Sequence, residues 1–254
     1  MSPKTYSHSR LSTFENCPLQ YKYKYIDRLT ATLGDTIEAF MGSRVHDTLE
    51  KLYRDLLKTR LLSREELLDY YQTIWEEKWH DDIRVVKKDY SAEDYFRTGR
   101  RGLEDYYRRY RPFDQGKTIG IETRINVDLG RERKLTGFID RLVFREEDKT
   151  YEIHDYKTSS RLPTQEQADR DRQLALYQIG VEEMWDDVNR VELIWHYLVF
   201  DRELRSRRSA GDLEALKAET NRLIDRIEST ENFEPRPGVL CGWCEFKNVC
   251  PVWK

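Results

Sequence analysis

The placement of four cysteines constrains this chain more than any other feature. Cys17 stands near one end, and Cys241, Cys244 and Cys250 stand together near the other. A Cys-x-x-Cys pair brings two thiolates to one metal or cluster. If Cys17 supplies a further ligand, the two ends must meet and the chain closes into a ring. Three of the four fall within ten positions, which argues against unrelated buried thiols. The opening MSPKTYSHSR has no apolar signal core, so a cytoplasmic, reducing location is expected and a disulfide framework is not. Structural zinc and an iron–sulfur cluster both accept four cysteines. Zinc ribbons usually show two Cys-x-x-Cys knuckles and this chain has one. Cys17-Pro18 and Cys250-Pro251 are pairs of a kind familiar in iron–sulfur proteins.

Between those ends the periodicity changes once. Residues 9–28 read as a helix through Leu11, Phe14, Tyr21 and Tyr25, and 36–58 as a second through Val45, Leu49, Leu52 and Leu56. Helices are also expected over 63–80, where Ser63 and Glu66 form a capping-box pattern, and over 92–110. From about residue 117 the texture becomes strand-like: TIGIETRINVDL, KLTGFIDRLVFR and TYEIHDYKT, with EEDK as a hairpin turn between the last two. Residues 165–187 return to helix, RVELIWHYLVF is a strand with which LRSRRS can pair, and 211–230 is a helix that PRPG at 235–238 breaks. This order predicts an α/β (α+β) core, a mixed sheet flanked by helices behind an N-terminal helical region. With 254 residues, one buried core with a helical insertion at 59–115 is expected, and the segment 235–254 pairs with Cys17. No apolar run reaches the length of a membrane span.

Two of the strands end in carboxylates. Asp140 closes Gly137-Phe-Ile-Asp140, and Asp155 lies in Ile153-His-Asp-Tyr-Lys157. Alternate strand residues share a face, so Asp155 and Lys157 point the same way. If Asp140 sits beside Asp155, two carboxylates and an ammonium converge. Hard oxygen ligands suit Mg²⁺ or Mn²⁺, which acidify bound water and offset charge on a phosphate. Lys157 can add to that stabilisation. A salt-bridged strand edge would show the same spacing. His46 in Gly42-Ser-Arg-Val-His46 lies on the second helix, and Gln173 and Tyr177 share a helix face.

The ordered set G-x-x-x-H, G-x-x-D, D-x-K and Q-x-x-x-Y resembles the RecB-like nucleases of the PD-(D/E)XK superfamily. That group includes the AddB nuclease domain and the CRISPR adaptation-associated exonucleases. The resemblance runs from Leu11 to Pro251, although Ile139 stands where the name-giving proline would precede Asp140. It implies a restriction-endonuclease-like fold and a single nuclease domain over 1–254. It implies metal ligation by His46, Asp140, Asp155 and the Tyr156 carbonyl, with Lys157 as catalytic lysine and Gln173 and Tyr177 orienting the site or the DNA. Glu122, on the preceding strand, is a supporting acid only. The one-plus-three cysteine arrangement resembles that of iron–sulfur nucleases of the AddB type, which implies a 4Fe–4S cluster.

Lys+Arg total 44 against 47 Asp+Glu, so a nucleic-acid partner needs a local basic track. RTGRRGLEDYYRRYR at 97–111 offers Arg97, Arg100, Arg101, Arg108, Arg109 and Arg111 for phosphates. Its tyrosines Tyr106, Tyr107 and Tyr110 would provide stacking on unpaired bases. A solvated helix with its tyrosines turned to the core is the competing reading. The sequence therefore predicts a DNA exonuclease preferring single-stranded ends, acting in repair, recombination or CRISPR adaptation. The alternative is a non-catalytic DNA-binding iron–sulfur scaffold, and a further one a zinc-stabilised interaction protein. No P-loop is present, so any unwinding falls to a helicase partner.

Overall fold

A computed structural model describes residues 4–186 and 188–253. The order is β1 (Lys4–Tyr6), α1 (His8–Asn16), α2 (Pro18–Tyr21), a π-helical turn Lys22–Ile26, α3 (Ile37–Leu57), α4 (Arg64–Lys78) and α5 (Ala92–Tyr110). Then come β2 (Lys117–Gly130), β3 (Arg133–Arg145), β4 (Thr150–Lys157), α6 (Gln165–Asp169), α7 (Gln173–Met184), β5 (Arg190–Tyr197), β6 (Arg202–Ser206) and α8 (Ala210–Ser229). The six strands form one mixed sheet in the order β1-β3-β4-β5-β6, with β2 on the other edge of β3. This is the mixed sheet flanked by helices that the restriction-endonuclease-like reading requires. None of the described helices is long and apolar enough to cross a membrane.

One buried cluster packs α1, α7 and α8 against the sheet through Leu11, Leu174, Ile153 and Ile224. A second packs α3, α4 and α5 around Leu49, Leu67, Leu103 and Tyr156. The sheet's polar and catalytic-type residues thus lie between two cores.

Two helices differ from expectation. The helix expected over 9–28 breaks at Cys17, whose φ of −157° is extended. Pro18 disfavours helical backbone in the residue before it and then starts α2. The helix expected over 165–187 divides into α6 and α7, and Asp171 Oδ1 accepts the Gln173 N–H at 2.8 Å where α7 begins; residue 187 lies outside the described residues. Helix α8 ends at Ser229, ahead of the prolines. Beyond it, Phe233 is drawn into the core, its ring stacked 6.3 Å from Tyr21. The predicted Ser63–Glu66 capping box is present at the start of α4.

Candidate metal site and cleft

Strand β3 shares one edge between two partners. β1 pairs in parallel with Arg133–Leu135, and β4 pairs antiparallel with Arg141–Arg145. Residues 136–140 face a gap between them, and Asp140 stands at its rim. The last β3–β4 pair is Arg141 with His154, so the register sets Asp140 opposite Asp155. Asp140 Oδ2 accepts the Tyr156 N–H at 2.8 Å, replacing a ladder bond where the strands part.

Glu122 lies between the pairs Ile121–Arg141 and Thr123–Ile139, opposite Asp140 on β2. Its φ of 49° is left-handed, a conformation that costs a non-glycine residue about 1–2 kcal/mol. The turn redirects the strand: Ile125 packs in the α7 core, whereas Ile121 packs against the α3–α5 core. The result brings ligand atoms of His46, Glu122 and Asp140 within 4.8 Å of one another. Burial and the Asp140 charge push the Glu122 carboxyl up to about 6. Two crowded carboxylates of this kind are relieved by a cation, so the residues fit a divalent metal. The His46 ring nitrogens lie 2.7 Å from the Tyr156 carbonyl and 3.5 Å from Asp140 Oδ2. Burial opposes its charge, but Asp140, then Asp155 and the Tyr156 carbonyl, outweigh it and push His46 up to about 9.

Asp155 and Lys157 share a face of β4 as their spacing predicts, with Lys157 Nζ 2.7 Å from Asp155 Oδ2. Gln173, at the first turn of α7, joins them: its Nε2 donates to Asp155 Oδ1 at 3.0 Å and its Oε1 accepts from Lys157 at 2.8 Å. Burial works against the Lys157 charge, but Asp155 outweighs it and raises the ammonium above its ordinary range. Tyr177, one turn along α7, is buried beneath β3. A Cβ on Gly137 would come within 2.3 Å of its ring, so only glycine allows this approach. The Gly137 of the G-x-x-D motif thus admits Tyr177, while Tyr177 itself stays out of the cleft.

His46, Asp140, Asp155, Lys157 and Gln173 line one open cleft of about 730 Å³. Lys87, Tyr90, Tyr95 and Arg101 line the same cleft. The expected arginine track is only partly realised. The five arginines of α5 and Arg111 just beyond it are all exposed, but of these Arg101 lines the cleft among the described residues. Arg97 pairs with Glu93, Arg108 with Asp105, and Arg109 with Asp201; Arg108 and Arg111 border a separate concavity beside Arg64, and Arg100 is exposed but does not line the cleft. The stacking surface expected from the α5 tyrosines does not form. Tyr106 and Tyr107 are 2% and 5% exposed, and the Tyr110 hydroxyl donates to Glu203 at 2.5 Å. The helix turns its aromatic stripe to the core, because burying those rings outweighs leaving them in water.

Sequence reasoning underweighted Glu122. Strict alternation along β2 puts it on the face opposite Ile121 and Ile125, and the left-handed residue that breaks the alternation leaves no mark in the sequence. The antiparallel match of IET to FID was the available signal. Tyr90, on the segment between α4 and α5, was also missed.

All four cysteines line one small, largely apolar pocket with Tyr23, Leu240, Phe246 and Trp253. Backbone N–H groups of Arg236 and Gly238 donate to Cys17 Sγ and Cys241 Sγ, each at 3.4 Å. Among the described residues, no three cysteine sulfurs lie within 4.8 Å of one another. The segment is tied down on both sides: Thr32 donates to the Glu245 carbonyl, Gln20 and Lys24 bind the Glu245 carboxylate, and Arg84 donates to the Trp243 carbonyl at 3.5 Å.

No curated protein matches this sequence. A solved structure described as "Crystal structure of SSO0001" is similar over 99% of this chain and 87% of its own, at 15% identity and a TM-score of 0.42. The family profile of the PD-(D/E)XK nuclease superfamily matches residues 5–251, so the chain belongs to that superfamily of metal-dependent nucleases.

Proposed function

We propose that this protein is a divalent-metal-dependent DNA exonuclease of the RecB-like group, with one nuclease domain and a helical insertion at 59–115. The observation that carries the reading is the meeting of His46, Glu122 and Asp140 beside the Asp155–Lys157–Gln173 triad, with all of these but Glu122 lining one open cleft. His46, Glu122 and Asp140 hold a Mg²⁺ or Mn²⁺ ion, and Asp155 and the Tyr156 carbonyl complete its oxygen set. When bound, the cation acidifies water and offsets charge on the scissile phosphate. Lys157 presents its ammonium to the same phosphate, Gln173 and Asp155 fix its position, and Tyr177 supports Gly137 below. Arg101 attracts the strand entering the cleft.

Cys17, Cys241, Cys244 and Cys250 hold a 4Fe–4S cluster. The one-plus-three arrangement of Cys17 against Cys241, Cys244 and Cys250, with Pro after Cys17 and Cys250 and a single Cys-x-x-Cys, supports this over zinc. The apolar lining and the two N–H···S contacts also suit a cluster. The ordered motifs support a cytoplasmic role in repair, recombination or CRISPR adaptation, alongside a helicase or adaptation partner.

The test incubates the protein with end-labelled linear single strands, blunt duplex and closed single-stranded circles in Mg²⁺ or Mn²⁺. Linear single strands should be degraded, and neither EDTA-treated nor Lys157→Ala protein should cut. Faster cutting of blunt duplex would refute the strand preference, and equal cutting of circles would remove the exonuclease claim. DNA binding without any cutting would favour the scaffold reading.

A further inference from the structure

We propose that Tyr90 is the platform on which an unpaired base of the bound strand stacks, with Lys87 and Arg101 pairing with the phosphates beside it. The proposal rests on the nuclease reading above and adds the residue that recognises an unpaired nucleotide. Three tyrosines line the cleft among the described residues. Tyr95 and Tyr156 are buried, and Tyr90 is 51% exposed. The Tyr95 hydroxyl is taken by Glu38 at 2.7 Å and that of Tyr156 by Tyr106 at 3.2 Å, so both rings are fixed in the wall.

Tyr90 is positioned without being enclosed. Its ring leans on Tyr95 at 5.8 Å with a 50° tilt, and the Lys87 ammonium lies 5.2 Å from its centroid. Lys87 also approaches Ser160 Oγ, 3.5 Å away on the loop that follows β4. That loop begins immediately after Lys157. The platform and the catalytic lysine therefore line the same cleft. Its residues have the composition of a single-strand contact: an aromatic face for a base, and cations for the flanking phosphates. A paired base, stacked within its duplex, has no face to offer such a ring. This replaces the stacking surface that the buried tyrosines of α5 do not provide.

The experiment uses the full chain in a Lys157→Ala background, so that the strand is not consumed. Its probes are single-stranded oligonucleotides carrying terminal 2-aminopurine or an abasic residue at the same position. Tyr90→Ala should weaken binding of the 2-aminopurine strand about tenfold, and Tyr90→Phe should leave it within about twofold. Fluorescence quenching on binding should persist in Tyr90→Phe and vanish in Tyr90→Ala. The abasic strand should bind Tyr90→Ala and its Tyr90 parent alike, since the stacking partner is gone from both. Equal affinity of Tyr90→Ala and its parent for the 2-aminopurine strand would overturn the proposal. So would an equal loss for Tyr90→Ala on both strands, which marks Tyr90 as part of the wall only. Because the readout is binding, Tyr90 stacking in this background together with no cleavage by the Lys157-intact protein in Mg²⁺ or Mn²⁺ would sink the nuclease reading alone.

Discussion

Lys157 and Gln173 have different burdens at the residue scale. Lys157 brings the charge, while Gln173 holds it, with one amide bound to the ammonium and to Asp155. Loss of a group aimed at developing charge costs about 100- to 1,000-fold in rate. Lys157→Ala should therefore lose at least that much cleavage while leaving DNA affinity nearly intact, since one cation among several is removed. Gln173→Ala should lose less, about tenfold, with Mn²⁺ affinity unchanged because the amide is not a ligand. Steady-state cleavage together with Mn²⁺ titration separates the two, and full activity in Lys157→Ala would sink the assignment. The D-x-K pair was legible in the sequence because strand periodicity alone puts those side chains on one face. The role of Gln173 was legible only in part. Its motif named it, but the break at residues 170–172 that aims it at Lys157 depends on the Asp171 cap.

At the scale of elements, β3, β4 and β5 carry a polar layer against α3 and α5. His154 and His196 stack with centroids 5.1 Å apart and ring nitrogens 2.8 Å apart, Arg141 donates to His154, and the same guanidinium lies 4.1 Å from the Tyr53 ring. Burial, then the neighbouring Arg141 for His154 and both His154 and Arg141 for His196, hold the two imidazoles well below their ordinary 6.5. Unfolded histidines take up protons near pH 6.5, and these two do not while folded. Their contribution is therefore intact above about pH 6.5 and is lost as pH falls below it. The two histidines should lower the denaturation midpoint between about pH 7.5 and about pH 5.5, a drop that His46, raised to about 9, partly offsets, so it is read as the difference between the parent and a His196 variant. His196→Gln should reduce that drop, and an unchanged pH dependence in the variant would contradict the account. Most strand and helix positions were legible, since period and caps are local. The alternation break at Glu122 and the inward roll of Tyr106 and Tyr107 were not, because both follow from which core each element meets.

For the whole molecule, the defining relation is between the ends. Cys17 sits in an extended corner fixed by Pro18, and the C-terminal cysteine segment folds back onto it. Cys17→Ala and Cys250→Ala should lower the melting temperature of anaerobically purified protein by comparable amounts, because either change opens the same ring. Such preparations should contain iron and acid-labile sulfide; one zinc and no sulfide would refute the cluster. The one-plus-three spacing made this closure legible from sequence. Its support through Glu245 and through Arg84 on the Trp243 carbonyl depends on contacts between distant loops, which spacing does not reveal. The same closure puts a clock on biosynthesis. Ribosomes add about 5–20 residues per second, so Cys17 emerges on the order of ten to fifty seconds before the first of its C-terminal companions, about 220 residues later. Strand β1 waits as well, since its partner Arg133–Leu135 is made midway. During that interval the nascent chain displays a thiol and a strand edge whose partners have not yet been made.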